Sequence, residues 1–357
     1  VKFRLAMHPA SEGDALQLTW GQPRRYAFID LGRTGDYRKL RPLLGQIGKF
    51  ELFVVSHVDA DHIEGAMPLF RETTLPFSAR HVWFNGREQL DRAANRTRAN
   101  DREPLGPGQG EKMTTGILRS GWPWNVPFES GVVSVDSAEA TGPIELDGGL
   151  TIILLSPSDA QLSDLLPVWD RELEKSHLRT ADPDEVQRAL IEGREHFGSP
   201  DVVQLAAKPF KIDKTEANGS SIAFIAEFNG RRVLCGADAH PDVLERSLRR
   251  HGASERTPML LHCFKVSHHG SKANTSPSLL SIINCTRFAF STDGSRHGHP
   301  DAETIARILI ADPDRQKTLI FNFRQPSTLR WDSAELKERY NYECVFPSGD
   351  DGIEFDV

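Results

Sequence analysis

At 357 residues, with 38 % hydrophobic and 26 % charged side chains, the chain is long enough for one large domain or two smaller ones and has a globular balance. No apolar run approaches the roughly 18 residues of a membrane span, and Val1-Lys2-Phe3-Arg4 lacks the apolar stretch of a secretory signal, so a cytoplasmic protein with no membrane partner is expected. A net charge of −7 argues against a generally polyanion-binding surface and says little about a local groove.

Short strands are predicted at 3–6, 15–20 and 25–30, separated by Glu12-Gly13-Asp14 and Gly21-Gln22-Pro23, and a helix over 36–47 with leucines 40, 43 and 44 on one face. A strand over 52–55, a helix over 62–70 and a strand over 81–84 follow. From Gly86 to Pro127 the pattern weakens into a surface excursion made basic by Arg92, Arg96, Arg98, Arg102 and Lys112. Leu150 to Leu155 is an apolar strand, and a helical insertion of about 158–214 comes next. Within it Asp182-Pro183-Asp184-Glu185 has the form of a helix start. Asn229-Gly230 marks a hairpin between strands 221–228 and 232–235. Beyond it helices (241–250, 276–283, 302–311) alternate with strands (260–266, 287–291, 318–321). Two β-then-α halves imply two sheets packed face to face with helices outside. The cysteines Cys235, Cys263, Cys285 and Cys344 form no CxxC and read as reduced, mostly core thiols, with a single disulfide left open.

Metal-capable side chains recur where predicted strands end. His57-Val58-Asp59-Ala60-Asp61-His62 packs four of them into six residues directly after Leu52-Phe53-Val54-Val55. A turn dense in imidazole and carboxylate builds a poor core and a good ion site, because carboxylates bring charge that a cation offsets and neutral imidazole brings a nitrogen donor. Asp238 follows Val233-Leu234-Cys235, Ser267-His268-His269-Gly270-Ser271 follows Phe264-Lys265-Val266, and His297-Gly298-His299-Pro300 follows the strand ending at Ser291.

These motifs resemble the metallo-β-lactamase superfamily, whose hallmark is HxHxDH after a strand. They are closer still to its competence-type, ComEC-like branch, which writes that motif HxDxDH. Glu12-Gly13-Asp14-Ala15, Phe28-Ile29-Asp30-Leu31-Gly32, Asn218-Gly219-Ser220-Ser221, Lys265 to Ser271 and Gly298-His299-Pro300 also match, in family order, from about residue 3 to 310. The resemblance implies a four-layer αβ/βα sandwich over 1–325, with 326–357 a C-terminal extension of unassigned role. It implies two divalent ions, zinc or manganese with magnesium possible. His57 and Asp59 would serve one, Asp61 and His62 the second, with Asp238 bridging and His299 as first choice for the late histidine. His268 and His269 are read as ligands or as phosphate contacts. The chain departs from the pattern at Asp59 (histidine in the superfamily), at Glu64 and Ala237 (glycine in the branch), and at Ser156, where a ligand histidine is usual.

The expected activity is a metal-dependent phosphodiesterase, a DNase of low sequence specificity. Asp61 or Asp238 would orient the nucleophile, and Lys265, His268, Ser271 and Lys272 would neutralise phosphate. Lys208, Lys211 and Lys214 would line a backbone-tracking groove. A hydrolase of a small thioester, lactone or cyclic nucleotide, and a catalytically weak regulatory module, are the alternatives. Restraint of such a nuclease is expected from a partner protein or from proteolytic cutting near Arg92 to Arg102, and a defence or stress role would fit such control.

Overall fold

The computed structural model describes residues 2–97, 112–178 and 200–357. The fold is mixed α/β, and two large sheets organise it. The first runs in the order Ile353–Asp356, Arg4–Met7, Leu16–Trp20, Arg25–Ile29, Leu52–Val54, Val82–Trp83. The second runs Tyr342–Val345, Lys317–Phe321, Arg287–Phe290, Cys263–Lys265, Arg231–Cys235, Ala223–Phe228, Leu150–Ser156, Ile144–Leu146. Each sheet has an antiparallel half and a parallel half, and the strands that lead into the metal-capable turns, Leu52–Val54, Arg231–Cys235 and Cys263–Lys265, all have parallel neighbours.

Side-chain alternation explains the layering. Leu16, Leu18, Ala27, Ile29, Leu52 and Val54 point from the first sheet into a layer shared with Leu150, Ile152, Leu154, Phe224, Ala226 and Val233 of the second. On the outer faces, Phe28 and Phe53 pack against helices Thr34–Ile47 and Lys112–Ser120, while Ile225, Leu234, Phe264 and Phe288 pack against Pro241–Arg250 and Ala302–Ala311. Strands covered on both faces carry apolar residues at both parities, which is why several read as unbroken apolar runs.

Asn229 (φ 50°) and Gly230 (φ 73°) make the hairpin between Ala223–Phe228 and Arg231–Cys235. The helix expected over 62–70 is two short ones, Ala60–Ile63 and Ala66–Leu69. The basic excursion contains helices Arg87–Thr97 and Lys112–Ser120, and two of its arginines are engaged: Arg92 pairs with Glu88 and donates to the Ser130 carbonyl, and Arg96 pairs with Asp159 at 2.7 Å. Arg98, Arg102 and the expected helix start at Asp182 lie outside the described residues. Of the insertion, helices Asp159–Leu165, Trp169–Leu178 and Val202–Ala206 are described.

The C-terminal segment corrects the boundary drawn at 325. Tyr342–Val345 adds an edge strand to the second sheet and Ile353–Asp356 one to the first. Ile353-Glu354-Phe355-Asp356 alternates apolar and acidic residues, and the acidic ones meet Arg4 at 2.7 Å (Glu354) and 3.0 Å (Asp356). The four thiols are free.

Candidate metal centre

Five strand ends converge at one edge of the two sheets. His57 and the Asp59–His62 turn follow Leu52–Val54, Asp238 follows Arg231–Cys235, and His268 and His269 follow Cys263–Lys265. Asp30 follows Arg25–Ile29 and Ser291 follows Arg287–Phe290. The segment before Leu16–Trp20 lies hard against the Asp59–His62 turn. A Cβ on Gly13 would stand 1.9 Å from the Asp61 carbonyl oxygen, so only glycine permits that approach.

Of the eight non-glycine residues with positive φ among the described residues, four belong to this edge: Asp30 (60°), Ala237 (41°), His268 (48°) and His269 (53°). Such conformations cost L-residues about 1–2 kcal/mol each, so their clustering here marks a place where packing overrides local preference. Ala237 (φ 41°) holds a left-handed conformation that glycine would adopt without strain, so the surrounding packing must impose it.

Hydrogen bonding then fixes the imidazoles. His62 Nδ1 lies 2.8 Å from Asp30 Oδ2 and His269 Nδ1 lies 2.8 Å from the Ser291 carbonyl oxygen, both acceptors, so each Nδ1 carries the proton. Ser56 Oγ gives its proton to Asp30 at 2.7 Å and therefore accepts from His57 Nδ1 at 3.0 Å. In their neutral forms all three rings present Nε2 lone pairs inward. His62 Nε2 and His269 Nε2 face one another at 3.2 Å, which is repulsive unless a proton or a cation lies between them. His57 Nε2 and Asp238 Oδ1 are buried with no hydrogen-bond partner.

The spacing fits a cation. Two donors sharing one tetrahedral ion at about 2.0–2.2 Å stand about 3.3–3.6 Å apart. Around His62 Nε2 and His269 Nε2, Asp61 Oδ2 lies at 3.8 and 3.3 Å and Asp238 Oδ1 at 3.5 and 3.7 Å. The other Asp238 oxygen faces elsewhere, 3.9 Å from His57 Nε2 and 3.6 Å from His268 Nε2, while Asp59 Oδ2 is 3.7 Å from His57 Nε2. Buried His/Asp groups able to hold a metal ion therefore exist here, among them His57–His62–Asp238 and Asp61–His62–His269.

The electrostatics of the metal-free groups are those of a strongly coupled cluster. Burial alone would raise the Asp61 and Asp238 carboxyls, but the surrounding imidazoles outweigh it and hold both well below the ordinary range. Burial would lower His62, yet Asp238, Asp30 and Asp61 push it well above its usual value. His268 is pushed up to about 9, Asp238 and Asp213 overcoming burial.

Two expected site residues are corrected. Lys265 faces inward: its Nζ is wholly buried and ion-paired with the equally buried Asp14, whose second oxygen is 3.6 Å from His269 Nδ1. It neutralises a carboxylate beneath the site and cannot reach a phosphate. His299 stands beside His268, ring centroids 5.4 Å apart, outside the Asp61–His62–His269 group, and is kept neutral by burial and by neighbouring histidines. His269 takes the place expected of it. GHP and SHHGS both follow strand ends, and the left-handed turn at 268–269 brings the His269 ring to Asp61 and His62.

Among expected substrate contacts, Ser271 is buried and its Oγ accepts from the Ala273 amide at 3.3 Å, a turn-closing role. Lys272 is exposed, 3.8 Å from Asp301, and Lys208 pairs with Glu303 at 2.8 Å, whereas Lys211 and Lys214 are exposed on the segment before Asn218. Ser156 ends its strand with a buried, unpartnered Oγ. Sequence reasoning assigned no role to Asp30, although it orients two of the rings, or to Asp213 and Asn274 behind His268. Asp30 had a signal, a lone carboxylate at an apolar strand end; Asp213 and Asn274 had none. No protein-family model matches the chain, and comparison with curated proteins yields no match.

Proposed function

We propose that this chain is a metal-dependent phosphodiesterase built on the αβ/βα sandwich of the metallo-β-lactamase type, acting as a nuclease, with DNA favoured as its substrate. The observation that carries the reading is the division of Asp238 between two sets of inward-facing imidazole nitrogens, with the His62 and His269 lone pairs opposed at 3.2 Å. That donor set suits two ions of the zinc or manganese kind, and the carboxylate Asp59 where the superfamily has histidine favours the harder ions. When bound, such ions supply Lewis acidity toward a phosphoryl oxygen and toward water.

The chain's own groups divide the remaining work. Asp61 and Asp238, held ionised, accept hydrogen bonds from a water placed between them and so orient it. Asp30 and the Ser291 carbonyl keep His62 and His269 in the tautomer that faces inward. Lys211, Lys214 and Lys272 are exposed cations available to a phosphate backbone, and they support a nucleic-acid substrate over a small apolar ester.

The test is incubation of the purified chain with plasmid and linear DNA in manganese, zinc or magnesium, beside Asp61→Ala. Cleavage lost in the variant supports the reading. No cleavage of DNA with any of these metals overturns the nuclease, and hydrolysis of a small phosphodiester alone under the same conditions moves the substrate to the cyclic-nucleotide class.

A further inference from the structure

Ser156 leaves the ion served by His57 and Asp59 without the nitrogen that the superfamily's pattern supplies from that strand end. The structure offers another. His268 Nε2 stands 3.6 Å from Asp238 Oδ2, the oxygen turned toward His57.

A relay of polar groups holds it there. Asp213 Oδ2 accepts from Asn218 Nδ2 at 2.6 Å and from Asn274 Nδ2 at 3.1 Å. Asn274 Nδ2 also donates to the Asp238 carbonyl at 3.2 Å, so the amide nitrogen faces acceptors and its Oδ1 faces His268 Nδ1 at 3.0 Å. Asn218 Nδ2 stands 3.3 Å from His268 Nδ1 but donates to Asp213, and Asp213 Oδ2 is itself 3.5 Å from Nδ1, so Nδ1 faces acceptors and carries the proton, and the Nε2 lone pair faces the Asp238 side. The left-handed backbone at both His268 and His269 turns the two adjacent rings to opposite oxygens of one carboxylate. Asp213 is itself fixed, its amide donating to the Ala273 carbonyl at 3.1 Å, and its Oδ1 caps Thr215.

We propose, resting on the two-ion reading above, that His268 is the missing ligand of the first ion and that Asp213 is its positioning residue, acting through Asn274. The two ions then have matched surroundings. Each takes one imidazole and one carboxylate from the His57–His62 motif, one imidazole from the His268-His269 pair, and one oxygen of Asp238. The substituted strand-end serine is compensated from the opposite side of the site.

Cobalt(II) titration of the full-length chain, followed by visible absorption and by elemental analysis after desalting, tests this. The wild type is expected to take up two ions. His268→Gly should retain one with its spectrum intact, and added imidazole should restore the second. Asp213→Ala should weaken one of the two binding steps about 10–100-fold and leave the other, as loss of an outer-shell partner does, and Asp213→Asn, which keeps an acceptor for Asn274, should recover part of the loss. Should His268→Gly fail to fold, the Asp213 pair decides: equal binding by wild type and Asp213→Ala overturns the proposal. Two ions bound with unchanged affinity in His268→Gly overturns it as well. A wild type that binds no cobalt overturns the two-ion reading itself, which separates the two failures.

Discussion

The two halves of the candidate centre are built to different standards of enclosure. Around His62 the donors are sealed, His62 being 0 %, His269 3 % and Asp61 18 % exposed, and both rings are tied at Nδ1 to strong acceptors. Around His57 the ring is equally buried, but Asp59 is 37 % and His268 24 % exposed. A sealed set with fixed donors is pre-organised to hold an ion against exchange, while an open set would leave room for water and substrate at a cost in affinity. The comparison teaches that one carboxylate, Asp238, turns one oxygen to an enclosed donor set and the other to a more open one.

Asp238→Ala should break the comparison outright, because it removes an oxygen from both halves: both ions should be lost on elemental analysis and phosphodiesterase activity should fall to background. Lys265→Ala should act on the fold beneath the sealed half. It strands the buried Asp14 carboxylate, and a loss of about 3–5 kcal/mol in urea unfolding is expected, with Lys265→Met no rescue. Unchanged stability would return Lys265 to the list of substrate contacts.

Asp30→Ala against Asp59→Ala sharpens the contrast. The first should weaken the sealed ion about 10–100-fold by releasing the His62 ring, and the open ion less, through Ser56 and His57. The second should act on the open ion alone, which competition with a chromophoric chelator would resolve.

The pH dependence of stability should have opposite signs with and without metal. His62 and His268 have raised values in the metal-free fold, so their stabilising contribution is complete below the unfolded histidine value of about 6.5 and, for His268, is lost as pH rises through about 9. Ion binding displaces those protons, so affinity should climb over the same range, and calorimetry in buffers of different ionisation enthalpy should detect the released protons. The smallest effect is expected from Lys211→Ala with Lys214→Ala, which should lower the salt slope of DNA binding by about 1 per lysine if both lie on the backbone path.

Much of this was legible in the sequence where local chemistry decides structure. The hairpin at Asn229-Gly230, the strand ends before His57, Asp238 and His268, and the alternation of helices with strands after 241 each rest on short-range signals. What stayed hidden depends on long-range register. Lys265 and Asp14 are 251 positions apart, and nothing near either says that they neutralise each other. Which of His269 and His299 stands beside Asp61 depends on the backbone at 268–269, which no local pattern shows. The segment after 325 looked like an appendage because its strands are only four residues each and their partners are distant.

That last segment has a consequence for the order of events during synthesis. The first sheet begins with the fourth residue yet receives its outer strand from residues 353–356, hydrogen-bonded to Arg4–Met7. During synthesis, therefore, strand Arg4–Met7 waits for residues 353–356 before that edge is covered, while every metal-capable turn, lying between the two in sequence, has already emerged. A nascent chain would carry the centre's residues long before it carries the finished scaffold, and its exposed edge at Arg4–Met7 is the place where a folding helper would have most to protect.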